Sequence, residues 1–364
     1  MPPATSMPDL RLRGYHEVNG ALFRKEAGWE VPAGYGSLDR EVDAVRRAAG
    51  ILDLSDRAKV RVRGADRVTF LDGLVTADIK LLRPGLSAYA LVLDEASRVL
   101  GDLRVTAVED AFVIDVEAAQ KDGMLAYLQK QIVSDDVTLE DLGFCGHLEV
   151  HGPLAPRIVS AALGVDVQAL SVDEHTTFPL DRHHAGYASR VSMLGESGYI
   201  LWAVGDSLEL VWDALYRSGA VPVGRDALEM LRIESGRPRF GVDMSPETLA
   251  IEVAPEGVMS FTKGCYRGQE VVARAVSIGQ MNRRLVGLRI DGDVPPSRGD
   301  SVSVAGESIG SVTSGCWSPT TGWVIALALL RTDKIVPGTQ MFIDHHGWDL
   351  RVSLHPLPFV LGRS

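Results

Sequence analysis

Lys263-Gly264-Cys265-Tyr266-Arg267-Gly268-Gln269-Glu270-Val271-Val272-Ala273-Arg274 is the stretch from which this chain is best read. It shows no clear helix or strand period. It gathers two glycines, a cysteine, an amide, a carboxylate and three cations into one turn-like run. Glycine suits a backbone that takes positive φ or lies hard against another group. A run of this kind is either a site or a surface loop around a buried cysteine.

On the C-terminal side of this stretch, the chain from Arg284 consists of short strands separated by Gly and Pro turns, which predicts a small all-β module. The boundary is expected near Gln280–Arg283. On the N-terminal side, Arg225 to Glu234 reads as a helix stopped by Gly236 and Pro238. Residues 207–217 read as another, with Leu208, Val211, Trp212 and Leu215 on one face and Gly219 after it. Gly198 to Val204 is a strand after a Gly195-Glu196-Ser197-Gly198 turn. Further upstream, His147 to His151 forms a strand and a helix opens at Gly152-Pro153. Residues 88–93, 99–105 and 111–116 form closely joined strands, hence an antiparallel sheet. A helix is expected from about Ala118 to Ile132, with the acidic stretch Ser134 to Asp141 as a connector. Lys59 to Arg63 alternates as a strand, after a helix over 37–50 capped by Ser37 or Asp39.

The totals bound the function. At 364 residues, two or three domains are expected. A hydrophobic content of 46% with 23% charged residues is that of a globular protein. The net charge of −11 argues against a broad nucleic-acid surface, though not against a local basic pocket. No apolar run approaches the roughly 20 residues that span a bilayer, and Met1 to Leu10 lacks a signal pattern. Cys145, Cys265 and Cys316 are scattered, with no CxxC, so a metal held by this chain is not expected and a reducing cytoplasm is. The adjacent pairs His183-His184 and His345-His346 point to opposite sides and are read as loop histidines rather than ligands.

The run Lys263, Gly264, Cys265, Tyr266, Arg267, Gly268, Gln269, Glu270 resembles the signature of the YgfZ family of folate-binding proteins, a branch of the glycine-cleavage T-protein (aminomethyltransferase) superfamily. The segments AVRRAAGILDLSDRAKVRVRGADRVTFLDGLVTADI, VSMLGESGYILWA, ALEMLRIESGRPRFGVDM and GESIGSVTSGCWSPTTGWVIALALL are similar to T-protein segments, and only about the first ten residues and the interior of 165–185 fall outside the likeness. The resemblance implies an α+β, three-lobed fold with antiparallel sheets around a central folate pocket. Residues 1–283 would form the folate-binding, aminomethyltransferase-like region, with an inserted lobe at about 57–145, and 284–364 a C-terminal β-barrel domain. It implies tetrahydrofolate, or a one-carbon derivative, as the cofactor. The leading expectation is a YgfZ-like factor that supports assembly or repair of iron–sulfur enzymes. The alternative is a tetrahydrofolate-dependent aminomethyl- or methyltransferase that takes its unit from an aminomethylated carrier protein.

The resemblance also nominates residues. Asp102 matches the aspartate placed against folate N10, where a carboxylate stabilises positive charge; otherwise it is a solvated turn residue. Glu196 would accept the paired pterin N–H groups, or else sit exposed in its turn, and Met193 stands where the family usually has an aromatic. Tyr89 would touch the folate or pack in the core. Arg232 would hold folate carboxylates, or pair along its helix with Asp226 or Glu229. Cys265 would be the reactive centre of the signature, its thiol acidified by Lys263, Arg267 and Arg274, or a small core hydrophobe.

Overall fold

The computed structural model describes residues 10–143, 145–204, 208–278, 282–335 and 338–362, with no side chains described over 275–281. The expected boundary at Gln280–Arg283 therefore falls partly outside the described residues. Among the described residues three sheets and a hairpin carry the fold. A five-stranded antiparallel sheet has the order Ser87–Leu93, Val99–Val108, Ala111–Val116, Ala58–Arg63, Thr138–Asp141. A six-stranded sheet has the order His175–Pro179, Ala185–Val191, Gly198–Val204, Cys145–His151, Gly50–Asp53, Val221–Pro222, the last pair parallel. Arg283–Ile290 to Trp348–His355 close a six-stranded barrel. The hairpin pairs Leu22–Glu26 with Trp29–Gly34.

Alternation decides how the two open sheets face each other. In the five-stranded sheet Ala58, Val60, Val62, Leu103, Val105, Ile114 and Val116 share one face and pack on the helices Arg67–Leu74 and Lys121–Gln131. The opposite face carries a polar row: Tyr89 pairs with Arg104, Arg104 with Asp115, and Asp115 with Lys59. In the six-stranded sheet Leu148 and Val150 join the core under the helices Ala155–Leu163 and Leu208–Arg217. His147, Glu149 and His151 point the other way and meet the polar row of the first sheet.

The two faces lock through buried charge. Asp115 takes Arg57 Nε at 2.6 Å, Lys59 Nζ at 3.0 Å and His147 Nδ1 at 3.2 Å. Lys59 Nζ also reaches His147 Nδ1 at 2.7 Å, and Glu149 bridges His147 Nε2 at 3.2 Å and His151 Nε2 at 2.8 Å. His147 thus stands between the two carboxylates, its Nδ1 beside Asp115 and Lys59 and its Nε2 facing Glu149. Val113, Val191, Ile200 and Trp202 form an apolar cluster beside this network.

Some elements depart from the sequence reading. The acidic connector contains the edge strand Thr138–Asp141, paired with Ala58–Arg63. The stretch 165–185, whose interior falls outside the family likeness, supplies the strand His175–Pro179 and begins the next. A helix, Gln269–Ile278, starts inside the stretch that shows no period, because only Val272 of its first turn is buried. His183 and His184 are exposed, but His345 closes a barrel strand and bonds Asp300 at 2.6 Å. Among the described residues no helix is long and apolar enough to cross a membrane, and no group of three or more His, Cys, Asp or Glu is placed to hold a metal ion.

The buried network makes two predictions. Removing one partner of a buried pair leaves the other unpaired, so Lys59→Met should cost about 3–5 kcal/mol in urea denaturation. Burial opposes the charges of Asp115 and Glu149, but their cationic and imidazole partners outweigh it and hold both below the ordinary carboxylate range. The unfolded chain protonates these groups near pH 4 and the folded chain only at lower pH. Their contribution is therefore complete above about pH 5 and is lost as pH falls through and below 4. Melting temperatures between pH 7 and 3 should show this acid limb, and Glu149→Gln should flatten it.

Candidate functional site

The two sheets do not close completely. Between them, under the helix Arg225–Glu234 and the turn after it, lies a cavity with about 990 Å³ of empty space counted out to its mouth. Leu54, Met193, Leu194, Ile200 and Leu228 give it apolar walls, and Tyr89, Asp102, Glu117 and Glu149 lie at its surface among several arginines.

Asp102 sits at the cavity wall because of strand register. Tyr89 and Asp102 are diagonal neighbours on paired strands, since Tyr89 opposes Arg104 and Leu91 opposes Asp102. The Tyr89 hydroxyl donates to Asp102 Oδ2 at 2.8 Å, and Gln120 Nε2 donates to Oδ1 at 2.9 Å. The carboxylate is thus held from both sides rather than solvated in a turn. Burial, then the nearby Asp102, pushes the Tyr89 hydroxyl well above its ordinary pKa, so it stays a donor. Glu117 is a wall residue that the sequence reading missed. Burial raises its pKa and Asp102 adds to this, against the pull of Arg57 at 3.8 Å.

Arg232 lines the cavity, but its guanidinium is occupied. It donates to Glu229 at 3.0 and 2.5 Å, to Asp243 at 2.7 Å, to the Arg237 carbonyl at 2.6 Å and to Ser314 of the barrel at 2.8 Å. Burial opposes its charge, yet Glu229 and Asp243 outweigh that and hold it above its ordinary value. The helix pairing with Glu229 is present, and its reach to the barrel is additional.

Glu196 does not line this cavity. It is buried in its turn, 3.6 Å from Arg46, beside a second cavity walled by Asp39, Thr320 and Val360. Arg46 in turn bonds Glu234 at 2.6 Å and the Leu194 carbonyl at 2.6 Å. The structure brings together Tyr89, Asp102 and Arg232 but not Glu196. Met193, three residues earlier, does reach the central cavity.

The signature run also lies outside the cavity, and most of it is structural. Lys263 Nζ turns inward to the carbonyls of Asp72, Val75 and Ala77 at 2.6, 2.9 and 2.6 Å. Tyr266 is buried in the core between the five-stranded sheet and the barrel, and Gln269 Oε1 accepts from the Tyr266 N–H at 3.2 Å. Gly268, at φ +82°, packs against the turn after Leu93. Arg267 bonds Gln131 and Glu95, and Glu270 pairs with Arg274 on an exposed face. The cations expected to attend Cys265 are thus engaged elsewhere. Cys265 itself is exposed, not a core residue.

These features define a class: two open sheets meeting face to face around a polar cavity, with a small barrel docked beside it. Residues 12–263 match the GCVT N-terminal domain, and 283–360 match the glycine cleavage T-protein C-terminal barrel domain. The chain belongs to the glycine cleavage T-protein family. Its relatives include an aminomethyltransferase of Geobacillus thermodenitrificans, 31% identical over 93% of this chain and 94% of that one. An aminomethyltransferase of Saccharopolyspora erythraea is 31% identical over 96% of each. The crystal structure of glycine cleavage system aminomethyltransferase T from Bartonella henselae superposes with a TM-score of 0.88 at 28% identity, covering 98% of this chain and 99% of that one.

The signature glycines are not equivalent. A Cβ on Gly268 would stand 2.5 Å from the Asp94 carbonyl oxygen at a strained φ, whereas one on Gly264 would meet nothing nearer than Lys80 Nζ at 3.6 Å. Thermal denaturation should therefore show Gly268→Ala losing about 1–3 kcal/mol and Gly264→Ala staying close to the parent.

Proposed function

We propose that this chain is a tetrahydrofolate-dependent one-carbon transferase of the aminomethyltransferase type, with folate held by the 1–283 region and the 284–364 barrel docked against it. The observation that carries the reading is Asp102, held in an accepting orientation by Tyr89 and Gln120 at the wall of a half-apolar cavity. The cavity suits a flat pteridine with polar edges: Leu54, Met193, Ile200 and Leu228 offer faces, and Asp102 and Glu117 offer acceptors. Tetrahydrofolate would supply the secondary amine that exchanges a one-carbon unit.

Asp102 would accept a hydrogen bond from that amine and stabilise positive charge at nitrogen during transfer. Its bonds to Tyr89 and Gln120 fix its direction beforehand, so no reorganisation is needed. Burial raises the pKa of Glu117 against the pull of Arg57, so its side-chain oxygens, beside Asp102, take up a proton more readily than an ordinary glutamate. The aminomethylated carrier protein is the partner this reading implies.

A second reading, a YgfZ-like factor for iron–sulfur enzymes, is favoured by one observation. Cys265 is exposed, whereas burial pushes the Cys145 thiol up to about 11, and burial together with Glu234 pushes Cys316 up to about 12.

Two variants separate the readings. Asp102→Asn should keep tetrahydrofolate affinity in calorimetry and lose about 100-fold or more in one-carbon transfer, while Cys265→Ser should transfer normally. If the parent protein transfers no unit from an aminomethylated carrier or a methylated amine, the transferase reading fails. Loss of iron–sulfur enzyme activity in a deletion strain carrying a well-expressed Cys265→Ser would then establish the second reading. In both cases Cys265 should react with a thiol probe before Cys145 and Cys316.

A further inference from the structure

Among the described residues the cavity wall carries seven arginines, and their partners differ. Arg24, Arg57, Arg104, Arg225, Arg232 and Arg239 each have an acidic side chain as partner. Arg237 has none among the described residues. Its guanidinium lies over the Tyr89 ring, 4.6 Å from the centroid. With no carboxylate partner among the described residues, its N–H groups can serve as the fork that accepts a carboxylate.

The backbone of this residue is held as firmly as its side chain. The Arg237 N–H donates to the Arg232 carbonyl at 3.1 Å, and the Arg237 carbonyl accepts from Arg232 Nη1 at 2.6 Å. Arg232 thus acts as a positioning residue for Arg237. Tyr89 links Arg237 to Asp102, since it stacks on one and donates to the other. Acidic groups nearby are already engaged: Glu229 by Arg232, and Asp102 by Tyr89 and Gln120. A ligand carboxylate reaching Arg237 would displace no internal pair.

We propose that Arg237 is the carboxylate receptor of this cavity, and that the ligand presents a carboxylate to Arg237 and a nitrogen to Asp102 across the Tyr89 ring. The inference rests on the folate-dependent reading above and extends it. Two sources share this chemistry: the glutamyl end of the folate, and a small zwitterionic amine that brings the one-carbon unit.

Calorimetry on the full chain distinguishes them with two matched pairs of probes. The first pair is tetrahydrofolate and tetrahydropteroate, which lacks the glutamyl carboxylates. The second is N,N-dimethylglycine and trimethylamine. In one pair the parent protein should prefer the carboxylated member. Arg237→Met should weaken that member by about 10- to 100-fold while leaving its counterpart within about twofold. Arg237→Lys should recover part of the loss, because a point charge lacks the fork. The pair that responds identifies the source.

Equal weakening of both members would mean that Arg237 only packs on Tyr89, and no weakening would mean that it binds nothing; either result overturns the proposal. Parent protein that binds neither pteridine would remove the folate reading while the amine pair still reports on Arg237. Absence of any carboxylate preference in the parent would remove Arg237 as receptor, whether or not folate binds. Unchanged melting of both variants establishes that they are folded.

Discussion

The structure depends on one arrangement: two sheets that meet by their polar faces. Sheets ordinarily pack through apolar faces, and burying charge between them is costly unless every group is paired. Here Asp115 collects Arg57, Lys59 and His147, and Glu149 collects His147 and His151. Each charge is met, and the small apolar cluster of Val113, Ile200 and Trp202 seals one side. A dry apolar seam would close completely. A polar one ends wherever the pairing ends, and what remains open is the cavity. Arg57, Asp115 and Glu149 belong both to the network and to the cavity wall, so the interactions that hold the sheets together also shape the site.

A second layer of fixation runs through Arg232. One guanidinium ties the helix Arg225–Glu234 to the turn after it, to Asp243 and to Ser314 of the barrel. Asp243 Oδ1 in turn takes the Ser314 hydroxyl at 2.7 Å. The barrel therefore does not merely follow the first region in sequence; it is bonded to the residue that sets the turn at the cavity. The signature run performs a similar duty on another side. Lys263 caps carbonyls at the end of the helix Arg67–Leu74, and Tyr266 fills the core shared with the barrel.

Much of this was legible along the chain. Alternation marked Lys59 to Arg63, short closely joined apolar runs marked the strands 88–93, 99–105 and 111–116, and the helix Arg225 to Glu234 was bounded by its own glycine and proline. Tyr89 and Asp102 were nominated through resemblance and stand together. Arg237 and Glu117 were missed because nothing local separates them from any charged residue near a turn. The His147, Glu149, His151 alternation was visible, but a lone strand does not reveal whether its polar face meets water. Edge elements such as Thr138–Asp141 were missed because an exposed strand needs little hydrophobic signal and takes its shape from its neighbour.

Sequence by itself determined most of the elements, the faces they present and the T-protein superfamily, because those depend on residue spacing and on motifs a few residues long. The partners of each charge were decided by the tertiary structure. Arg232 and Arg237 lie five positions apart, yet one is saturated by Glu229, Asp243 and Ser314 while the other is left to stack on Tyr89. Glu196 and Met193 lie three apart, yet they serve different cavities. Hydrogen bonds and ion pairs act over about 3–4 Å, and which groups come within that distance is set by sheet register and by the docking of the barrel, through contacts made far apart in the chain.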